Sequence, residues 1–255
     1  MTKTKILIIY TGGTIGMVAD ATTGVLMPFN FDQIIDNVPE LKRLDYKLVV
    51  HSFDPPIDSS DMTPDIWIEL AEIIEHKYHE FDGFVILHGS DTMAYTASAL
   101  SFMLEGLEKP VVFTGSQLPI NGTRTDAKEN LITAIEIAAD RKRGKAAVPE
   151  VCIYFDYKLF RGNRSIKCNS AKFEAFCSPN YSLLAEAGVY LTFNKNYILK
   201  PSDTPFKVHK KLETAIGVLK LYPGINPTVV NAVLSANCKA IVMEAFGSGN
   251  TSTQP

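Results

Sequence analysis

Lys5-Ile6-Leu7-Ile8-Ile9-Tyr10, running straight into Thr11-Gly12-Gly13-Thr14-Ile15-Gly16, limits what this chain can become more than any other stretch. A run of apolar β-formers with no polar face needs cover on both sides, as a buried parallel strand receives. The Gly-rich segment then reads as a tight turn at the carboxyl end of that strand. In open α/β sheets ligands collect outside those carboxyl ends. Two threonine hydroxyls separated by two glycines therefore stand where chemistry is expected.

The same device recurs along the chain. Residues 46–53 read as a second strand, ended by Asp54-Pro55-Pro56, and Ile57-Asp58-Ser59-Ser60-Asp61-Met62 as a strand-to-helix loop. Thr63-Pro64 opens a helix, with a hydroxyl at the N-cap and proline in the first turn. Ile66, Leu70, Ile73 and Ile74 give that helix one apolar face. Gly83-Phe84-Val85-Ile86-Leu87 is a third strand, delivering His88-Gly89-Ser90-Asp91-Thr92 to a helix over 93–105. Residues 110–113 form a fourth, delivering Thr114-Gly115-Ser116. A helix over 126–143 follows, its last turn read as the basic run Arg141-Lys142-Arg143 with Gly144 as the stop. Residues 151–155 make a fifth strand. Residues 31–44 read as a helix interrupted near Pro39, and 17–30 as a loop, either a lid over the first turn or plain surface.

Strands alternating with helices predict an α/β fold, a doubly wound and mainly parallel sheet in a large N-terminal domain. Residues 158–178 break the rhythm. Arg161-Gly162-Asn163-Arg164 is a turn signal and Ile166-Lys167-Cys168 alternates, so a β-hairpin is expected. The polar stretch 191–211, with Pro201 and Pro205, reads as a linker. A strand at 215–221, a helix at 227–238 and a strand at 240–246 then make a smaller, incomplete C-terminal α/β domain. The expected division is 1–190, a linker 191–211, and 212–255.

A chain of 255 residues, 46% hydrophobic, can bury a full core. Its net charge of −3 leaves no electrostatic footprint for nucleic acid or an anionic membrane. No apolar stretch is long enough to cross a bilayer. Cys152, Cys168, Cys177 and Cys238 form neither a C-x-x-C pair nor a zinc spacing. Scattered thiols point to a reducing compartment, and the cytoplasm is the expected location.

A threonine hydroxyl becomes a nucleophile only when a base takes its proton or a cation stabilises the alkoxide. Thr14, Ser90, Asp91 and Lys167 could supply such a set, with backbone N–H groups of the Gly-rich loops as an oxyanion site. Taken singly, each has a plainer reading. Thr14 could cap the first helix, Ser90 and Asp91 the next, His88 could be a hydrogen-bonded structural residue, and Lys167 a surface lysine. The first turn does not match G-x-G-x-x-G, and no G-x-x-x-x-G-K-[ST] occurs, so a nucleotide site is the weaker alternative.

Thr11-Gly12-Gly13-Thr14-Ile15-Gly16 together with Gly83-Phe84-Val85-Ile86-Leu87-His88-Gly89-Ser90-Asp91-Thr92-Met93 resembles both signatures of the bacterial-type L-asparaginase family, nearest its cytoplasmic type I branch. The resemblance runs through Asp58-Ser59-Ser60-Asp61-Met62, Thr114-Gly115-Ser116-Gln117-Leu118-Pro119, Arg161-Gly162-Asn163-Arg164 and Tyr222-Pro223-Gly224-Ile225. It implies a threonine amidohydrolase needing no metal or organic cofactor. Thr14 would attack the side-chain amide of L-asparagine, expel ammonia and leave a β-aspartyl ester for water to hydrolyse. Ser90, Asp91 and Lys167 would support it, with Ser90 where the family usually has threonine. Asp91 would bind the α-amino group, Ser59 and Ser60 the α-carboxylate, and Ser116 the leaving-amide region. The resemblance also implies a homotetramer, a dimer of dimers.

Two departures stand out. The segment Gly24-Val25-Leu26-Met27-Pro28 has no tyrosine, where many relatives place a phenol that assists the nucleophile; Thr22, Thr23 or a tyrosine of the C-terminal domain could substitute. The C-terminal domain also stops early by comparison, so a truncated chain with exposed apolar surface and weak activity is expected. The alternatives are a glutamine-hydrolysing amidotransferase subunit of the same family and a noncatalytic small-ligand α/β domain.

Overall fold

The computed structural model describes residues 3–19, 23, 26–28 and 38–252. Two compact units emerge, Met1–Lys210 and Lys211–Pro255. The first is built on β1 (Lys5–Tyr10), β2 (Lys47–Ser52), α1 (Pro64–Lys77), β3 (Gly83–Leu87), α2 (Met93–Met103), β4 (Val111–Thr114), α3 (Ala127–Ala139) and β5 (Val151–Phe155). These are followed by β6 (Lys158–Arg161), β7 (Ile166–Lys167), β8 (Phe176–Cys177), β9 (Ala185–Ala187) and β10 (Leu191–Phe193).

The main sheet has eight strands in the order β10-β9-β6-β5-β4-β3-β1-β2. The first five strands in sequence pair in parallel, in the spatial order 2-1-3-4-5. The remaining three are added antiparallel. That arrangement is the expected doubly wound, mainly parallel sheet. Its strand order reverses between β1 and β3, and such a switch point opens a crevice at the carboxyl ends of the two strands.

Side chains alternate across each strand, which explains the unbroken apolar runs. Ile6, Ile8 and Tyr10 point into one core layer with Val85, Leu87 and the buried face of α3. Leu7 and Ile9 point into the other with Phe84, Ile86 and the buried faces of α1 and α2. Every residue from Ile6 to Tyr10 is buried.

Several expectations need correction. The helix over 126–143 ends at Ala139, and Asp140 leaves it with an extended ψ of 124°. The basic run forms a small hairpin instead, Arg141–Lys142 against Lys145–Ala146. Arg143 and Gly144 both have positive φ, 54° and 80°, as a two-residue turn matched to strand twist requires. Arg161-Gly162-Asn163-Arg164 does not turn one strand back on its neighbour. It leads from β6 in the main sheet to β7, which pairs with β8 in a separate hairpin.

The stretch 191–211 is no bare linker. β10 closes the edge of the sheet, Lys207–Val208 pairs with Leu104–Glu105, and the Phe206 ring stacks 3.7 Å from that of Tyr78. Lys210 reaches Glu72 and Glu75 of α1. Of the helix expected over 31–44, residues 31–37 lie outside the described residues, and Pro39–Arg43 is a 3-10 turn. Thr22, Gly24 and Val25 of the expected lid also lie outside them; Leu26–Pro28 pairs with Met17–Ala19.

The second unit pairs β11 (Ile216–Lys220) in parallel with β12 (Ala240–Glu244), joined through α4 (Pro227–Leu234). Asn226 caps α4, its side chain accepting from Thr228 N at 2.8 Å, and proline opens the helix. Val218, Val242 and Met243 are all more than half exposed.

Candidate active site

Four loops leave the carboxyl ends of β1 to β4 and meet. The first and third touch through glycines: a Cβ on Gly13, whose φ is +90°, would lie 2.7 Å from Gly89 Cα. A Cβ on Gly89 would in turn lie 2.5 Å from Ser59 Oγ of the second loop. Only glycine permits these approaches. The fourth loop is stitched on by His88 N donating to the carbonyl of Thr114 at 3.0 Å.

Thr14 opens the short 3-10 turn Thr14–Gly16, with Gly13 at the N-cap. It therefore lies inside the turn and not at its N-cap, and among the described residues its side chain makes no hydrogen bond, so the plainer reading of that hydroxyl does not hold. Thr11 behaves differently. Its hydroxyl is buried and donates to the carbonyl of Leu87 at 3.0 Å, tying β1 to β3. Tyr10 supports the turn from below, its phenol donating to Gly16 O at 3.3 Å, and burial pushes that phenol up to about 12.

Ser90 and Asp91 do not cap α2 either; Thr92 stands at that position. Lys167, delivered from β7, reaches across to both. Its Nζ lies 2.9 Å from Ser90 Oγ and 2.6 Å from Asp91 Oδ1. The lysine side chain is 17% exposed and the Asp91 side chain 66%. An ammonium drawn in from the surface is thus held by a carboxylate that still faces solvent. Ser60 is spoken for locally, N and Oγ both donating to Asp58 Oδ1 at 2.9 and 2.7 Å. Ser59 is buried beside Gly89, and its carbonyl accepts from Thr92 Oγ1 at 2.6 Å. Ser116 Oγ donates to Leu118 O at 2.6 Å within its own turn.

Below the loops lies a polar layer that the pattern of the sequence did not disclose. His88 is buried, and desolvation lowers its imidazole to about 4 against a partial opposing effect of the Gly89 carbonyl. The ring is therefore neutral at pH 7. Nδ1 faces Gly89 O at 2.7 Å and must carry the proton, so Nε2 accepts from Thr96 Oγ1 at 3.0 Å. Thr96 in turn accepts from Trp67 Nε1 at 3.0 Å. The chain Trp67–Thr96–His88–Gly89 fixes the carbonyl just before Ser90. The plain reading of His88 as a structural residue describes it.

Asn130 does the same for the fourth loop. Fully buried on α3, it donates to Gly115 O at 3.0 Å and accepts from Asp156 N at 3.1 Å. Asp126 accepts from the N–H groups of Gln117 and Leu118. Asn130 sits in the apolar stripe Ala127, Leu131, Ala134. A polar residue in such a stripe is the signal that would have found it.

The burial of neutral His88 carries a pH prediction. The unfolded chain takes up a proton below about 6.5 and the folded one not until about 4, so stability falls as pH drops through that window. The loss should approach about 3 kcal/mol at its lower end. Urea unfolding of the wild type and His88→Gln, at pH 7 and pH 4.5, isolates it: the wild type should lose about 2 to 3 kcal/mol more than the variant. Equal losses would show that His88 is not held neutral.

A family model described as "Asparaginase, N-terminal" matches residues 5–199, spanning every loop described above. The chain belongs to the asparaginase family. Among curated relatives, the 60 kDa lysophospholipase of Mus musculus is 41% identical over 275 residues, covering 98% of this chain and 48% of that protein. L-asparaginase 1 of Escherichia coli K12 is 41% identical over 251 residues, covering 98% and 73%. Among solved structures, L-asparaginase I of Vibrio cholerae superimposes with a TM-score of 0.89 at 41% identity, covering 100% and 75%. This asparaginase-family chain thus spans about half the length of the mouse relative and about three quarters of the two bacterial proteins.

Proposed function

We propose that the chain is an L-asparagine amidohydrolase acting through Thr14. The observation that carries this reading is the reach of Lys167 to Ser90 and Asp91, on a loop packed against the one that bears an uncapped Thr14 hydroxyl. Thr14 Oγ attacks the side-chain amide carbon as Lys167, acting in its neutral amine form, takes the Thr14 proton through Ser90 and then gives a proton to the departing ammonia. Asp91 orients Lys167 and, with its exposed oxygens, receives the substrate α-ammonium. Ser59 and Ser60 lie toward the α-carboxylate and Ser116 toward the leaving amide. The β-aspartyl ester is then hydrolysed by water activated through the same pair. No step calls for a metal or an organic cofactor.

A reducing cytoplasmic setting is part of this reading, argued from four cysteines scattered along the sequence without a paired spacing. Among the described residues no helix is long and apolar enough to cross a membrane. Self-association belongs to the same reading. Tyr95 and Phe102, seven residues apart on one face of α2, are 68% and 71% exposed, and a second copy would cover them. Sedimentation should find a dimer or tetramer that Tyr95→Glu with Phe102→Glu weakens; a wild-type monomer at micromolar concentration would refute it.

The deciding assay follows ammonia release from L-asparagine and L-glutamine, with fatty-acid release from a lysophospholipid as the third arm. Faster turnover of asparagine is expected. Turnover of the lysophospholipid alone would move the assignment to ester hydrolysis, and turnover of none of them would remove it.

A further inference from the structure

We propose that Cys168 and Cys177 form a reversible oxidation site, which a peroxide closes into a disulfide and which thereby pulls Lys167 away from Ser90 and Asp91. The consequence for catalysis rests on the amidohydrolase reading; the site itself does not.

The register of the β7–β8 hairpin places the two thiols. Ile166 pairs with Cys177, Lys167 with Phe176, and Cys168 N donates to Ala175 O at 2.8 Å. With a side-chain period of two, Ile166, Cys168, Ala175 and Cys177 share one face of the hairpin, and Lys167 and Phe176 the other. Cys168 and Cys177 are diagonal neighbours on their face, and their side chains interact. They bracket the pair that carries Lys167.

Accessibility and charge set the order of events. Cys168 is exposed and meets an oxidant first. Cys177 is half-buried, and its thiol is pushed up to about 11 by desolvation first, then by its hydrogen bond to Cys168 and the nearby charges of Cys168 and Glu174. It therefore resolves rather than initiates. The Cys168 thiolate attacks one oxygen of hydrogen peroxide, forming an S–O bond as the O–O bond breaks and hydroxide leaves. Sulfur is oxidised by two electrons to the sulfenic acid and the peroxide is reduced. That step also removes the thiolate charge that opposed ionisation of Cys177. The Cys177 sulfur then attacks the sulfenic sulfur, the S–S bond forms, the S–O bond breaks, and hydroxide leaves with the Cys177 proton as water. A dithiol reverses it by exchange. Cys152 is fully buried, its thiol raised by that burial, and does not compete.

Closure moves Lys167 because the spacing general to diagonal neighbours exceeds what a disulfide spans. Diagonal neighbours in an antiparallel pair have Cα atoms about 7–8 Å apart, whereas a disulfide needs about 4.4–6.8 Å. The strands must shift by about 1 Å, and the backbone of the Lys167–Phe176 pair lies between the two cysteine positions. Contacts of 2.6 and 2.9 Å from Lys167 Nζ do not survive such a shift. A misplacement of about 1 Å in an active site can cost about 100-fold in rate.

The test compares the full chain, Cys168→Ser, Cys177→Ser and, as a control, Cys238→Ser, each after hydrogen peroxide or dithiothreitol. Peptide mapping without reduction should find a Cys168–Cys177 cross-link in the wild type and Cys238→Ser only. Amine-directed labelling of Lys167 should rise severalfold on oxidation, and ammonia release should fall at least about tenfold, both reversed by dithiothreitol. The Cys168→Ser and Cys177→Ser variants should keep their rate through the peroxide step. Peroxide doses that convert Cys168 to a sulfenic or sulfinic acid without a cross-link would overturn the site. A cross-link that leaves Lys167 labelling and turnover unchanged would overturn the displacement. The map and the labelling need no turnover, so failure of the reduced protein to release ammonia would count against the amidohydrolase reading alone.

Discussion

Thr14→Ala should lower ammonia release from L-asparagine by at least about 1,000-fold, because it removes the proposed attacking atom. Stability should hardly change. The Thr14 side chain caps nothing, makes no hydrogen bond among the described residues, and is only partly buried, so its truncation belongs with substitutions of about 0.5 kcal/mol or less. That contrast separates the nucleophile from its neighbour in the same turn. Thr11→Ala removes a buried hydroxyl bonded to Leu87 O and should cost about 1 kcal/mol of stability. Thr11→Val, which keeps the shape, should retain most of the turnover. Steady-state kinetics beside urea unfolding of the three variants reads both effects. A Thr14→Ala protein within tenfold of wild type would mean that the turn positions substrate without attacking it.

Lys167→Met should lose about 10²–10⁴-fold in kcat, the range expected when a group that handles protons in the transition state is removed. The competing view is that Lys167 and Asp91 form an ion pair kept for stability, and the magnitudes decide against it. Asp91 is 66% exposed, so water screens the pair, and exposed ion pairs contribute about 0–1 kcal/mol. Methionine keeps an apolar stem of similar length without the charge. Unfolding of Lys167→Met should therefore lie within about 1 kcal/mol of wild type while turnover collapses. A structural pair would give the reverse, a shifted unfolding midpoint with turnover intact. Asp91→Asn keeps a hydrogen-bond acceptor for Lys167 but loses the charge, and should raise KM for asparagine more than Lys167→Met does.

The parallel strands were legible because each is buried on both faces. A run such as Ile6 to Tyr10 has few other places to go once its alternate side chains fill two separate core layers. The loops after them were legible for the same reason, since a sheet of that kind puts hydroxyls at one edge. Lys167 was not legible from spacing. It comes from a two-residue strand outside the main sheet, so residue chemistry could name it as one possible member of a set with Thr14, Ser90 and Asp91, but nothing in its position along the chain set it apart from a surface lysine.

Short elements account for the other differences. Arg141-Lys142-Arg143 reads as the basic end of a helix stopped by Gly144, and the two-residue strands that Arg141–Lys142 and Lys145–Ala146 form leave no periodicity to argue otherwise. Residues 191–211 looked like a linker by their prolines and polarity, yet a single ring, Phe206 on Tyr78, and two-residue pairings hold them to the first unit. The His88–Thr96–Trp67 chain joins residues from three elements, and such a network becomes visible only when the helices are packed.

The most direct measurement is to find the acyl group. The protein, mixed with excess L-asparagine and quenched in acid within the first turnovers, should carry a β-aspartyl ester, and peptide mapping should place it on Thr14. It should be absent from Thr14→Ala and should persist longer in Lys167→Met, where water is no longer activated. An ester found on Thr11, Ser90 or any other side chain, or steady ammonia release from an enzyme that never carries one, would contradict the account.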